Sequence, residues 1–233
     1  MLLADDNVLV ERLVTTVDSE RRASTVHGIP VELLAAQARS IGLPLQTIAM
    51  CGPGLDGYVE VMNEATVAMR RDGIEAFAFG DLSSSNVLGH KVEQFAPLGI
   101  EVVEPLWDFT SAECIETFLS SGIRAVTIVV DADVLDVDHV GVALDRAFVD
   151  RLPQDADQCG ELGEYHSFVY DGPLFQSAVD FSLSAPEHLE RDIRTTEGRR
   201  RFTYWLTRPC AREAYPADSS LLAQDRGSER PFT

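Results

Sequence analysis

Lysine is nearly absent from this sequence. Lys91 is the only one in 233 residues, and arginine supplies the other 18 of the 19 basic side chains. Against 38 Asp and Glu this leaves a formal net charge of −19. A surface so acidic repels phosphate, which excludes a nucleic-acid duplex as the expected partner. Acid excess with scarce lysine is also the composition expected of a protein working in concentrated salt, where screening shrinks to a few ångströms and self-repulsion becomes tolerable. Cysteine is sparse as well. Cys51, Cys114, Cys159 and Cys210 include no C-x-x-C pair, so neither a zinc site nor a disulfide framework is predicted, and a reducing cytoplasm fits best. No apolar run approaches the roughly 18 residues of a membrane span, and the first residues lack the layout of an export signal. The expectation is a cytoplasmic protein with no membrane partner. What is present, 45% apolar side chains, suffices for one large or two small cores.

Strand-like and helix-like segments alternate through the first two thirds of the chain. Val8 to Val17 is a β-rich apolar run. Pro30 to Ile41 carries Val31, Leu34, Ala35, Ala38 and Ile41 at helical spacing, between a proline suited to a first turn and Gly42 suited to a stop. Leu45 to Met50 reads as a strand, Tyr58 to Arg71 as a helix, Ile74 to Phe79 as a buried strand and Val87 to Leu98 as a weaker helix. Ile100 to Val103, Ser111 to Ser121 and Ile123 to Val130 continue the rhythm. Such alternation predicts an α/β fold with a doubly wound parallel sheet. Ligands then sit beyond the carboxyl ends of the strands, which singles out Thr15 and Thr16, Gly80 and Asp81, and Asp131 and Asp133. Each also has a plain structural reading, as strand interior, helix-initiating turn or turn cap.

The most distinctive stretch runs from Cys159 to Phe175. Gly160 and Gly163 permit a tight, exposed loop on which Glu161 and Glu164 point the same way. A strand from Tyr165 to Tyr170 follows, and Asp171, Gly172 and Pro173 make a turn. An ordinary hairpin with solvated acids would account for this spacing as well as a site would.

As a whole the string resembles the C-terminal signature of the diphthine-ammonia ligase family, in which a Gly-Glu-x-Gly-Glu run leads into a strand and an Asp-Gly-Pro turn. Leu13-Val14-Thr15-Thr16-Val17, His27-Gly28-Ile29, a helix with Leu33, Leu34, Gln37 and Ala38, Ile41-Gly42-Leu43-Pro44-Leu45, Phe79-Gly80-Asp81, Pro105-Leu106-Trp107, and Gly141 with Asp145 are similar to that family in order, over roughly residues 8–176. The resemblance implies a PP-loop ATP-binding domain, here residues 1–130, and a smaller C-terminal α+β domain, residues 131–214; the polar, aperiodic composition of the last residues predicts a disordered tail at 215–233. It implies an enzyme that uses ATP and Mg2+ to amidate diphthine, a modified histidine on elongation factor 2, with ammonium. It assigns Glu161, Glu164 and Asp171 to catalysis, and Gly160, Gly163, His166, Ser167 and Gly172 to substrate binding. Thr15, Thr16, His27, Gly80 and Asp81 fall to the nucleotide, with Asp81 also near the metal. His166 alternates in register with Phe168 and Tyr170, which favours a packed strand histidine over a proton carrier.

The sequence departs from the family in three places. Its Ser-Gly-Gly-Lys-Asp-Ser phosphate loop is not found, and Met1 stands in what resembles the end of the following helix, so an in-frame Gly-Gly-Lys-Asp is expected in the coding DNA upstream. Leu162 occupies a position expected to be polar or small. Ser83-Ser84-Ser85-Asn86 follows Asp81, and Leu88 stands where the family tends to place arginine. Two other functions stay open: a relative that retains a nucleotide or partner surface without catalysis, and a PP-loop ligase acting on a small metabolite. Beyond Phe175, Phe181 to Leu183 and Phe202 to Leu206 read as closing strands, and Arg199, Arg200 and Arg201 as a solvated turn. The composition carries one prediction of its own: thermal melts in a salt series rise from low to molar salt, and a melting temperature that stays flat or falls removes the high-salt reading.

Overall fold

The computed structural model describes residues 1–50, 57–82, 87–195 and 198–212; Cys51, residues 83–86 and the expected tail at 215–233 lie outside them. The first sheet joins β1 (Leu13–Asp18), β2 (Ala23–Ser24) and β3 (Leu45–Met50) in the order β2-β1-β3. β1 and β3 run parallel from Leu13 opposite Leu45 to Asp18 opposite Met50. β1 therefore starts at Leu13 and not at Val8, because its partner strand starts at Leu45; Leu9 is 81% exposed. Between them α1 (Val31–Ile41) begins after Pro30 and ends on Gly42, whose left-handed φ of 83° directs its N–H to Ala38 and Arg39 carbonyls. α1 touches β3 on one side and the C-terminal strand Pro209–Ala211 on another. Sandwiched in this way it buries Val31, Leu33, Ala36, Ala38 and Ser40, a wider set than the single stripe read from spacing.

A second parallel pair joins β4 (Ala76–Ala78) and β5 (Glu101–Val103); α3 (Val87–Phe95) packs on β5, and α2 (Tyr58–Arg71) on β3 and α3. Met62 and Met69 of α2, Phe95 of α3, Ile48 of β3, Ile74 and Ile100 form one core cluster here. β4 is not the buried strand expected. Ala76 and Ala78 are exposed, and the apolar cover is confined to the Phe77 face.

The doubly wound parallel sheet read from the alternation is not what the described strands form. Parallel pairing is confined to the β1–β3 and β4–β5 pairs, and the architecture is a mixed α/β fold with several small sheets. β6 (Arg124–Asp131) joins an antiparallel sheet with β7 (Tyr165–Asp171), β9 (Glu187–Thr195) and β10 (Gly198–Leu206), in the order β7-β6-β10-β9. A continuous apolar run such as Ala125 to Val130 is buried on both faces whichever way its neighbours point, so its pattern does not encode their direction. β8 (Phe181–Leu183) pairs with β11 (Pro209–Ala211).

β9 went unread, and the arginine triplet expected in a turn lies inside β10. The register sets Arg201 opposite Asp192, and its guanidinium lies 3.4 Å from both Asp192 and Glu190. Cross-strand charge pairs of this kind hold a ribbon that hydropathy does not signal.

The β6–β7 pair is the centre of the molecule. On one face Ile29, Leu33 and Ala36, from α1 and its lead-in, pack on Val126, Ile128, Phe168 and Val179. A second cluster joins Ile115 of α4 (Ser111–Ser120) and Phe148 and Val149 of α5 (Arg146–Val149) to Ala125, Val130 and Tyr165. α4 starts with a capping box, Thr110 Oγ1 accepting from Glu113 N and Glu113 accepting from Thr110 N. Since Leu33 is fully buried between α1 and this sheet, Leu33→Ala is expected to cost about 2–5 kcal/mol. Urea titration followed by circular dichroism measures it as a lowered midpoint with an unchanged slope.

Candidate active site

The segment from Asp157 to Glu164 folds into a compact acid loop at the junction between α4, β6 and β7. Gly160 has φ 72°, and a Cβ there would meet the Tyr165 carbonyl oxygen at 2.8 Å, so the loop admits glycine alone. Asp157 Oδ1 accepts from Cys159 N at 2.8 Å and Glu161 N at 3.2 Å, while its other oxygen accepts from Ser111 Oγ on α4. Glu164 closes the ring. Its Oε1 accepts from Asp157 N at 2.8 Å, its Oε2 from Leu162 N at 3.0 Å, and the residue is 5% exposed. Its carbonyl oxygen also accepts from Asp131 N, which fixes the loop to the end of β6.

The two glutamates therefore do not point the same way from an exposed loop. Glu164 is buried and satisfies backbone donors, whereas Glu161 is exposed; between them Gly163, at φ 93°, closes a turn by donating its N–H to the Gly160 carbonyl. Desolvation pushes the Glu161 carboxyl above its usual range. A hydrogen bond from the Leu82 backbone opposes this, and Asp157 and Glu164 add to the rise. A carboxylate so placed can accept a proton or hold a small cation. Cys159 is no nucleophile: burial first, then Cys114 and the loop acids, push its thiol up to about 12. Tyr165 donates its hydroxyl to the Gln158 carbonyl at 2.6 Å.

Gly80 and Asp81 follow β4, and Asp81 is ion-paired with Lys91 of α3, which also lies 3.0 Å from Glu104 just past β5. Neither Lys91 nor Glu104 was singled out from the sequence. The single lysine in an arginine-rich chain was the available signal. Asp81 is engaged by Lys91, and among the described residues no three His, Cys, Asp or Glu side chains form a group that could hold a metal ion.

His27 and His166 also meet, their rings edge to face at 4.8 Å. His27 is exposed as a residue while its imidazole packs against protein, and desolvation lowers it. His166, on β7 opposite Val129, is lowered to about 4 by burial and then by His27. Ser167 pairs with Thr127 in β6. Thr15 and Thr16 lie within β1 and not beyond its carboxyl end; Thr16 Oγ1 meets Thr25 Oγ1 at 2.6 Å. Asp131 and Asp133 cap the turn after β6, Asp131 Oδ1 accepting from Asp133 N at 2.9 Å.

Asp171 and Gly172 are not brought to this site. They sit at the opposite end of the seven-residue β7, roughly 20 Å from the acid loop at about 3.3 Å per residue. There Asp171 pairs with Arg124 at 3.1 Å, and Gly172 packs so close to Ile123 that a Cβ would lie 3.1 Å from its Cα. An open groove of about 540 Å³ lies at this end, between Arg124, Tyr170, Leu144 and Phe118.

The arrangement is that of a mixed α/β protein with one acid loop held by hydrogen bonds to its own backbone. Residues 110–199, from the α4 cap into β10, match the diphthamide synthase C-terminal domain family. A diphthine–ammonia ligase from Bos taurus is 33% identical over 87 residues, covering 35% of this chain and 33% of that protein. The chain thus aligns with about a third of the length of this curated relative. Over residues 110–199 the chain is thus similar to the diphthamide synthase C-terminal domain family, and it resembles the diphthine–ammonia ligase over a comparable length.

Two measurements separate the roles of these side chains. Glu164→Gln replaces an oxygen acceptor with an amide that cannot serve both backbone donors, so it is expected to lower stability by about 1–3 kcal/mol, while Glu161→Gln changes it by no more than about 0.5 kcal/mol. Thermal melts of both variants decide this. For the histidines, unfolded imidazole titrates near 6.5 and folded His166 near 4. The neutral ring therefore stabilises the fold fully above 6.5, and that contribution is lost as pH falls through the interval to 4. His166→Phe is expected to flatten the melting curve against pH in that window.

Proposed function

We propose that this chain serves an ATP-dependent amide ligase of the diphthine type, and that Glu161 is its working acid. The observation that supports this most is a diphthamide synthase C-terminal domain with Glu161 projecting from a rigid frame beside the Gly80–Leu82 segment. The proposed substrates are elongation factor 2 bearing diphthine, ammonium and ATP. The diphthine carboxylate attacks ATP to give an acyl-adenylate and pyrophosphate. Ammonia then attacks the acyl carbon, the C–O bond to AMP breaks with its electron pair, and the nitrogen gives up a proton to leave the amide.

Ammonium must lose one proton before it can attack, and the adduct must lose another. Glu161, with its carboxyl raised by desolvation, suits the holding of the cation and the acceptance of these protons. Glu164 and Asp157 hold the loop that carries it, which avoids reorganisation during the reaction. On this reading Gly80 and Asp81 line the nucleotide side at the carboxyl end of β4. Magnesium would enter with the nucleotide and not on a cage of protein carboxylates.

Incubating the full-length protein with diphthine-bearing elongation factor, ATP, magnesium and ammonium is expected to release AMP and pyrophosphate in equal amounts, dependent on the factor. No AMP above background overturns the reading. Glu161→Gln is expected to lower kcat at least about tenfold, roughly 1.4 kcal/mol of transition-state stabilisation, with an unchanged melting temperature.

A further inference from the structure

β9 is the outer strand of the four-stranded sheet. It pairs with β10 along its whole length, and among the described residues no strand lies on its other side. An open edge of nine residues is a template for a further strand. Charge along an edge ordinarily wards off such pairing, because the added strand meets like charges. On β9 the charges are ordered so that one copy of the strand suits another. Glu187, His188, Glu190 and Arg191 are exposed, with Leu189 half-buried among them.

Two identical strands related by a two-fold axis perpendicular to the sheet run antiparallel. Since successive residues turn their N–H and C=O groups to opposite edges, the axis must pass between a residue and its own copy. With the axis at Leu189, Glu187 falls opposite Arg191 of the second copy and His188 opposite Glu190 of the second copy, and the symmetry repeats both pairs. An axis at Glu190 sets that carboxylate against its own copy, and an axis at Arg191 sets Glu190 against Asp192, so these slipped registers oppose like charges. Arg191 is also the side chain that the single chain leaves without an acid. Arg201 on β10 lies 3.4 Å from both Glu190 and Asp192, and Arg208 lies 3.1 Å from Glu187, whereas among the described residues no carboxylate reaches Arg191.

We propose that β9 is a dimer edge, at which two copies of this chain join antiparallel about Leu189 and extend the sheet from four strands to eight. Main-chain hydrogen bonds across the edge supply the affinity, and the Glu187 and Arg191 pairs fix the register. Leu189 is opposite Tyr204, and Tyr204 is opposite Asp131, whose N–H donates to the Glu164 carbonyl. The axis therefore falls level with the end of β6 to which the acid loop is tied.

Sedimentation equilibrium of the full chain tests this, in about 1 M salt, where the repulsion between two chains of net charge −19 is screened over about 3 Å. The mass is expected to rise with concentration from 25.6 kDa toward twice that value. Arg191→Glu sets acid against acid at both ends of the ladder and is expected to weaken the dimer at least about tenfold, with an unchanged melting temperature. An equimolar mixture of Arg191→Glu and Glu187→Arg chains is expected to recover it as a heterodimer, with one pair native and the other reversed. A mass that stays at one chain throughout the series overturns the proposal. So does a dimer that Arg191→Glu leaves intact, since its interface then lies elsewhere. If Arg191→Glu does not fold, hydrogen exchange of the unsubstituted protein decides the matter: amides of residues 187–191 that exchange no more slowly at high than at low concentration exclude pairing along this edge.

Discussion

The burial of the Glu164 carboxylate is the constraint on which the acid loop depends. A charged group taken out of water is tolerated only when its hydrogen-bonding capacity is used, and here both oxygens accept from backbone N–H groups of the same loop. Each such charge-assisted bond contributes about 1.5–3 kcal/mol. With Glu164 in place, Asp157 is free to turn toward Cys159, Glu161 and Ser111, so that the loop is tied to α4 as well as to itself. Glu161 is left exposed.

That loop is anchored to β6 and β7, which are covered on both faces. α1 seals one side through Leu33 and Ala36, and α4 and α5 meet the same strands through Ile115 and Phe148. The antiparallel register then decides which functional groups share an end. Tyr165 is opposite Val130 and Asp171 opposite Arg124, so the acid loop and the Asp-Gly-Pro turn are held apart by the full length of the strands. The turn keeps its glycine for a packing reason, its close approach to Ile123.

The acid excess of the chain has a bearing on the proposed chemistry. A field set by a net charge of −19 raises the local concentration of small cations such as ammonium, an effect that added salt weakens. Lys91 stands against this background as a nearly buried positive charge that meets two carboxylates.

Much was legible in the residues themselves. Helix bounds at Tyr58–Arg71 and strand bounds at Leu45–Met50 follow from periodicity and flanking glycines, local properties that tertiary contacts did not override. The Gly-Glu-Leu-Gly-Glu run marked the loop because only glycine reaches its backbone angles. Strand direction was not legible: the apolar run in β6 reads alike in parallel and antiparallel sheets, and β9 hides its pairing in charges that find partners only across the ribbon. Nor could spacing tell Glu161 from Glu164, two carboxylates three residues apart. Their difference arises from which one the folded backbone offers its N–H groups, and that choice is made only when α4, β6 and β7 come together around Asp157.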